Sequence, residues 1–188
     1  EGLNKGKQSI AIDLSRPKGR ELATAIITAP GGGCGLFVTN YPARGFLSHE
    51  RLADRRADLI TLRVMGWPDG RNGVDYTVNA AVGVPFMTGG GELPPDEPVN
   101  SVLPAWDLLT GAYGAFALLA AERRRRETGQ GGEIIVALSD VAAGALGHLL
   151  MVLCAVSLST EPATGLGGWL LLDALGRVVL GFQSVLIF

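Results

Sequence analysis

The stretch Leu103-Pro104-Ala105-Trp106-Asp107 brings a carboxylate to the point where an extended, proline-containing segment gives way to a long helical pattern, Leu108 to Glu127. Asp107 is expected at the N-cap of that helix, facing backbone N–H groups that have no partner within it. Two roles fit a carboxylate there. One is a structural cap. The other is a nucleophile whose charged form is favoured by the positive helix end. The local pattern leaves both open. The following two turns are small on one side, at Gly111, Ala112, Gly114 and Ala115, so a backbone or a ligand can come close. Asp75 and Asn79 make a second candidate pair, one turn apart on the polar side of an amphipathic helix over 73–83. Asp75 also reads as that helix's own cap. Arg44, near the end of an expected strand, suits a substrate carboxylate and equally suits a surface.

The remaining polar signals read as structural. His49 is expected on the surface of a short helix, and His148 as a hydrogen-bonded core or interface residue. Neither has a second ligand at zinc spacing, so no metal site is assigned. Glu122-Arg123-Arg124-Arg125-Arg126-Glu127 reads as a solvated helix end whose cations suit the dipole, with Gly129 at C′. A docking point for ligand phosphates is the alternative.

The elements that must position these residues alternate. Ser9–Leu14 reads as a strand. A helix follows from Pro17, with Leu22, Ala23, Ile26 and Ile27 on one face. Residues 35–40 form a short buried strand. Ser48 caps a short helix through Asp54, with Leu47 and Leu52 inward. A strand over 58–64 ends at the turn Gly66-Trp67-Pro68-Asp69-Gly70. The loop 88–98 is a lid or a connector. After the central helix, a strand over 133–138 leads to Ser139-Asp140, which caps a long apolar helix. The alternation β-α-β-α-β implies an α/β fold: a Rossmann-like parallel sheet with flanking helices and right-handed crossovers. Ligands of such sheets lie beyond the carboxyl ends of the strands, here Asp13-Leu14-Ser15, Thr39-Asn40-Tyr41 and Gly66-Trp67. No Gly-x-Gly-x-x-Gly follows a strand and no P-loop occurs, which disfavours nicotinamide and nucleoside-triphosphate chemistry.

Composition narrows the classes further. The 188 residues suffice for one ordinary domain with a real core. Net charge is −2 and the pI about 5.7, so no basic footprint for nucleic acid exists. Cys34 and Cys154 lie far apart in apolar context and read as buried free thiols of a reducing, cytoplasmic compartment. Mean hydropathy is +0.29. The apolar run 141–158 is near the lower length limit for a membrane span. Its polar start and its Ala and Gly content favour a buried helix instead, and no membrane partner is assigned. After residue 159 the pattern weakens, and Asp173–Arg177 is expected to turn a hairpin.

Taken together, the motifs resemble the family III CoA-transferases. Asn4-Lys5-Gly6-Lys7-Gln8-Ser9 followed by Ile10–Leu14 is similar to that family's Asn-x-x-Lys-Arg-Ser-strand segment, with Gln8 in place of Arg. Phe37–Pro42 is similar to its strand ending in Asn-Phe. Asp75 matches its Gly-Tyr-Asp region, and Asp107 its catalytic aspartate. Thr128-Gly129-Gln130-Gly131-Gly132, a strand and Ser139-Asp140 match its Thr-Gly-x-Gly-strand-x-Asp-Ala segment. The resemblance covers about residues 3–150. It identifies residues 1–158 as the family's large domain without its first βα unit. Residues 159–188 become a poorly specified segment at the start of the small domain. It implies an interlocked homodimer, an acyl-CoA and dicarboxylate substrate, and no cofactor beyond coenzyme A as part of that substrate.

The resemblance also implies a chemistry. Asp107 is the nucleophile and passes through an aspartyl-CoA thioester. Asn40, Arg44, Asp75 and Gly111 are assigned to substrate or CoA binding, with backbone N–H groups near Gly111 holding the oxyanion. Three stretches, 39–45, 74–83 and 103–107, point to a member that moves CoA between the two carboxylates of one branched C4 dicarboxylate. The alternatives are transfer to a separate acid, a racemase, and a non-catalytic truncated paralogue. Val74 stands where the racemases carry a histidine, which removes their base.

Overall fold

The computed structural model describes residues 4–89, 97–158, 163–165 and 170–172. Its principal elements are α1 (Pro17–Ile27), β1 (Leu36–Thr39), α2 (His49–Ala53), β2 (Ile60–Met65), α3 (Asp75–Ala81), α4 (Ala105–Thr128), β3 (Gly132–Ala137), α5 (Leu138–Leu158), β4 (Ala163–Gly165) and β5 (Leu170–Leu172). Short 3-10 turns occupy Gly45–Leu47 and Val84–Phe86. One sheet has the order β1-β2-β3, and β4 pairs with β5 antiparallel. β1 runs parallel to β2, with Leu36 opposite Ile60 and Thr39 opposite Arg63. The parallel sheet with flanking helices is thus the one expected. The chain divides into two compact units: residues 1–63 with 117–134, and residues 64–116 with 135–188.

In the first unit the expected strand over 9–14 does not form. That segment is unpaired and Ile10 is exposed. Its end instead lies over α1: a Cβ added to Gly19 would stand 1.9 Å from the Asp13 carbonyl oxygen. In α1, Ala23, Thr24 and Ile27 are buried or half-buried while Leu22 and Ile26 are exposed, against the expected apolar face. Buried Thr24 is satisfied by donating from Oγ1 to the Arg20 carbonyl at 2.8 Å. β1 is not a buried strand either. It lies at the edge of the sheet, and Leu36 and Val38 are exposed between half-buried Phe37 and Thr39. Leu47 and Leu52 point inward as expected, and Ser48 occupies the N-cap of α2.

Arg125 ties this unit together and corrects the solvated-end reading of the arginine run. Its guanidinium is buried. Nη1 donates to the carbonyls of Cys34 at 3.0 Å and Gly35 at 3.2 Å, and lies 3.8 Å from Asp58 Oδ2. Arg123, Arg124 and Arg126 remain exposed. Arg56 holds Asp58 from the other side at 2.8 Å, which keeps that carboxyl below the usual range. Gly129 closes α4 with φ +71°, its N–H on the Arg125 carbonyl at 2.8 Å. Cys34 is exposed, contrary to the buried thiol expected, and the Cys154 side chain lies outside the described residues.

The second unit is built on a small apolar cluster of Val78, Trp106, Leu138 and Ala142, flanked by Val64, Trp67, Val82, Val84 and Ala145. Trp106 therefore faces inward from the first turn of α4. Its truncation to alanine would cost about 3–5 kcal/mol. α5 begins at Leu138, so Ser139 and Asp140 lie within its first turn rather than capping it. The Ser139 N–H donates to the Gly66 carbonyl at 3.1 Å. Gly66 and Gly73 pinch the loop between them: a Cβ on Gly66 would stand 2.2 Å from the Gly73 nitrogen. The enclosed Trp67–Asn72 turn is held by an Asp69–Arg71 ion pair at 2.6 Å and by the Arg71 guanidinium 5.0 Å over the Trp67 ring. Among the described residues no helix is long and apolar enough to cross a membrane. Most of the expected loop over 88–98 and the hairpin at 173–177 lie outside the described residues.

Candidate active site

α4 starts at Ala105, so Asp107 is the third residue of its first turn and not its cap. The Leu108 N–H makes the first intrahelical bond, to the Pro104 carbonyl at 3.2 Å. Of the four N–H groups a helix start leaves without an internal partner, Pro104 has none to offer, so three need an acceptor. Ala105 N–H takes the Leu103 carbonyl at 2.8 Å. The other two go to one atom from another element. Asp75 Oδ2 accepts the Trp106 N–H at 2.7 Å and the Asp107 N–H at 3.0 Å. These are the second and third N–H groups of the helix, the ones a capping side chain normally serves. Pro104, just before the helix, carries no side-chain acceptor, and Asp75 supplies one from α3.

This placement frees the Asp107 carboxyl from any capping duty. The residue is exposed, yet its carboxyl lies above the ordinary range. Partial desolvation is the larger cause, and the Asp75 charge the second. Asp75 itself is buried, with its carboxylate turned to the α4 backbone. The sequence placed it on a polar face or at the cap of its own helix; the structure has it capping a different helix. Asn79 is buried beside it. Asn79 Oδ1 accepts the Trp106 indole N–H at 2.8 Å, and its Nδ2 donates to Asn100 Oδ1. The pair read as the polar side of α3 faces the apolar cluster because Trp106 and the α4 backbone bring donors to it.

Gly111 lies on the exposed side of α4, where an added Cβ would meet only open space. Six residues into the helix, its N–H is committed to the carbonyl four residues back. The α4 backbone therefore holds no free N–H at Gly111 for an oxyanion. Sequence reasoning did not single out Thr110, and it read Ser139 as a helix cap and a motif residue. Both side chains are buried, and their hydroxyls have no hydrogen-bond partner among the described residues.

Asn40 and Arg44 belong to the first unit. Both are exposed in the loop leaving β1. Thr39 Oγ1 accepts the Tyr41 N–H at 3.0 Å, and Arg44 N–H bonds the Pro42 carbonyl at 2.8 Å. His49 is half-buried rather than on the surface, because its Nδ1 meets the hydroxyl of buried Thr61 at 3.0 Å. His148 is exposed, with Nδ1 2.7 Å from the Gly144 carbonyl. Among the described residues no three His, Cys, Asp or Glu side chains are grouped to hold a metal ion.

Comparison with known proteins adds to this geometry. A family model described as CoA-transferase family III matches residues 1–165. The chain is 55% identical over 151 residues to 2-methylfumaryl-CoA isomerase of Chloroflexus aurantiacus, covering 80% of this chain and 36% of the relative. It is 27% identical over 149 residues to succinyl-CoA:mesaconate CoA-transferase of Haloarcula hispanica, covering 74% of this chain and 37% of that one. Among solved structures, a CAIB/BAIF family protein from Brucella suis superposes with a TM-score of 0.68 at 27% identity, over 83% of this chain and 42% of that chain. A hypothetical protein from Mycobacterium tuberculosis gives 0.66 at 27% identity, over 85% and 45%. The chain spans little more than a third of the length of the curated relatives it matches.

Proposed function

From the premise that the chain belongs to CoA-transferase family III, we propose that it moves coenzyme A between carboxylates with Asp107 as the nucleophile. The observation that carries this is the division of labour at the start of α4: Asp75 serves the helix N–H groups, and Asp107 keeps a carboxyl exposed and unspent. The Asp107 carboxylate attacks the thioester carbonyl and expels CoA thiolate, leaving a mixed anhydride. The thiolate then attacks the aspartyl carbonyl, which releases the substrate carboxylate and leaves an aspartyl-CoA thioester. A carboxylate of the acceptor attacks that thioester, and the expelled thiolate closes the new acyl-CoA while Asp107 is regenerated. A carboxylate is a weak nucleophile, so its placement and partial desolvation matter more than its basicity.

The substrate is proposed to be a branched C4 dicarboxylate, with CoA passing between its own two carboxylates. The 55% identity to an isomerase acting on 2-methylfumaryl-CoA supports this. Transfer to a separate acid is the second reading, favoured by the names of relatives such as the Haloarcula hispanica enzyme. Asn40 and Arg44 as ligand contacts, an interlocked homodimer and a cytoplasmic location rest on the family likeness. Oxyanion donors must come from outside the α4 backbone. The test is incubation of the protein with mesaconyl-C1-CoA and labelled free mesaconate. Appearance of the C4 isomer without label supports the intramolecular reaction. Label in the thioester supports the two-substrate one. Absence of both products, with this and other acyl-CoAs, overturns the proposal.

A further inference from the structure

Arg63 is among the most deeply buried side chains of the described residues, 1% exposed, although it carries a charge that no catalytic step above uses. It stands opposite Thr39, the last residue of β1. Its three nitrogens reach three separate parts of the first unit. Nε donates to Glu133 Oε1 at 2.7 Å, Nη1 to the Tyr41 carbonyl at 2.8 Å, and Nη2 to the Leu47 carbonyl at 2.8 Å. Burying a guanidinium is costly unless it is paired and hydrogen-bonded, and here both conditions are met. Glu133 neutralises it, and each Nη nitrogen donates once to one end of one loop.

Between those ends, Pro42, Ala43, Arg44 and Gly45 form a bow on the surface, with the Ser48 N–H on the Gly45 carbonyl and Gly45 at φ +69°. Arg44 and Gly45 are exposed. The start of the loop is fixed a second time, by Thr39 Oγ1 on the Tyr41 N–H. A loop at the carboxyl end of a parallel strand lies where such sheets take their ligands. Held at both ends by one buried planar cation, it meets a ligand already shaped, and less ordering entropy is spent on binding.

We infer that Arg63 is a positioning residue, which acts through the 41–47 loop to hold Arg44 in a ligand-ready geometry. This rests on the transferase reading and on Arg44 meeting the substrate. Lysine cannot replace Arg63, because a single ammonium does not span two carbonyls and a carboxylate in fixed directions.

The test compares wild type, Arg63→Lys and Glu133→Gln in the purified protein, with two readouts. One is the KM against kcat split for acyl-CoA. The other is the rate of tryptic cleavage after Arg44. In Arg63→Lys, KM should rise about tenfold or more while kcat stays within about twofold, as misplacement of a remote contact predicts, and cleavage after Arg44 should accelerate. Glu133→Gln keeps an acceptor for Nε but loses the countercharge, so it should show the same pattern more weakly. It also serves as the readable variant should Arg63→Lys fail to fold. Unchanged KM overturns the inference, whether or not cleavage accelerates. So does a loss confined to kcat. A wild type that turns over no acyl-CoA sinks the transferase reading instead, and is told apart because the variants then have nothing to lose.

Discussion

Asp75 Oδ2 and the Asp107 backbone nitrogen are 3.0 Å apart, and the same oxygen lies 2.7 Å from the Trp106 nitrogen. One carboxylate thereby fixes the backbone of the other while keeping the two carboxyl groups in separate roles. Replacing Asp75 by Ala leaves two N–H groups of the first turn without an acceptor, at an expected cost of about 1–3 kcal/mol. Asp75→Asn keeps an acceptor and removes the charge. Chemical denaturation of both variants should rank Asp75→Ala as the less stable. If the two are equally stable, the cap is not what holds this turn.

The pH profile follows from the same pair. The Asp107 carboxyl is raised by partial desolvation and by the Asp75 charge. It must be ionised to attack, so kcat/KM should fall on the acid side as pH drops through this raised value. Asp75→Asn removes one of the two causes, and the acid limb should move to lower pH. An unmoved limb would show that Asp107 does not govern it.

Stability should respond to Asp107 in the opposite sense to activity. A carboxyl whose folded pKa is above its unfolded value contributes stability that is present at low pH and lost as pH rises through the folded value. At neutral pH the ionised Asp107 is thus a small burden on the fold. Asp107→Asn is expected to lower CoA transfer by at least about a thousandfold with a melting temperature at pH 7 that is unchanged or higher. A clear loss of stability would restore the capping reading of Asp107.

Asp58 behaves conversely. Its carboxyl is lowered chiefly by the hydrogen bond from Arg56, with Arg125 adding to it. Its contribution is present above the unfolded value, about 3.9, and is lost as pH falls through the lowered folded one. Unfolding curves of Asp58→Asn between about pH 5 and 2 should lose part of the acid slope seen in wild type. The carboxylate is partly exposed, so the effect is modest.

Gly131 tests the packing of the first unit. A Cβ there would stand 2.0 Å from the Leu59 carbonyl oxygen and 2.6 Å from the Asp58 carbonyl carbon. Both are backbone atoms and cannot swing aside. Gly131→Ala should cost about 3 kcal/mol or more, read as a shift in denaturant midpoint. Gly132→Ala, with only the Arg124 guanidinium at 3.9 Å, should be far milder.

What the sequence disclosed was periodic or punctuated. The alternation of strands and helices, the Pro17 start of α1, the inward Leu47 and Leu52, and Gly129 at the end of α4 are all written in local pattern. What it hid depended on distant partners. Pro104 begins α4 without a cap of its own, so local pattern moved the helix start onto Asp107; the true acceptor, Asp75, lies 31 residues from Trp106. Arg125 sits in a run of like charges, and nothing nearby shows that it alone turns in to meet Cys34, some 91 residues away. Arg63 sits in an apolar strand and pairs with Glu133 across 70 residues. A buried Arg in a strand is a signal in itself, because such a charge demands partners, but their identity is a property of the fold. The exposed Leu36, Val38 and Ile10 failed for the converse reason: an apolar run implies burial only where something covers it.

The contact between Gly66 and Gly73 closes the Trp67–Asn72 loop at its neck, backbone against backbone. Strand β2 and helix α3 are joined there, so whatever the loop carries is insulated from both. Evolution can rewrite or lengthen the residues beyond the neck at little entropic cost while the path from the sheet to Asp75 stays constant. The two glycines thus let this turn vary in length and sequence without the first turn of α4 losing its Asp75 acceptor.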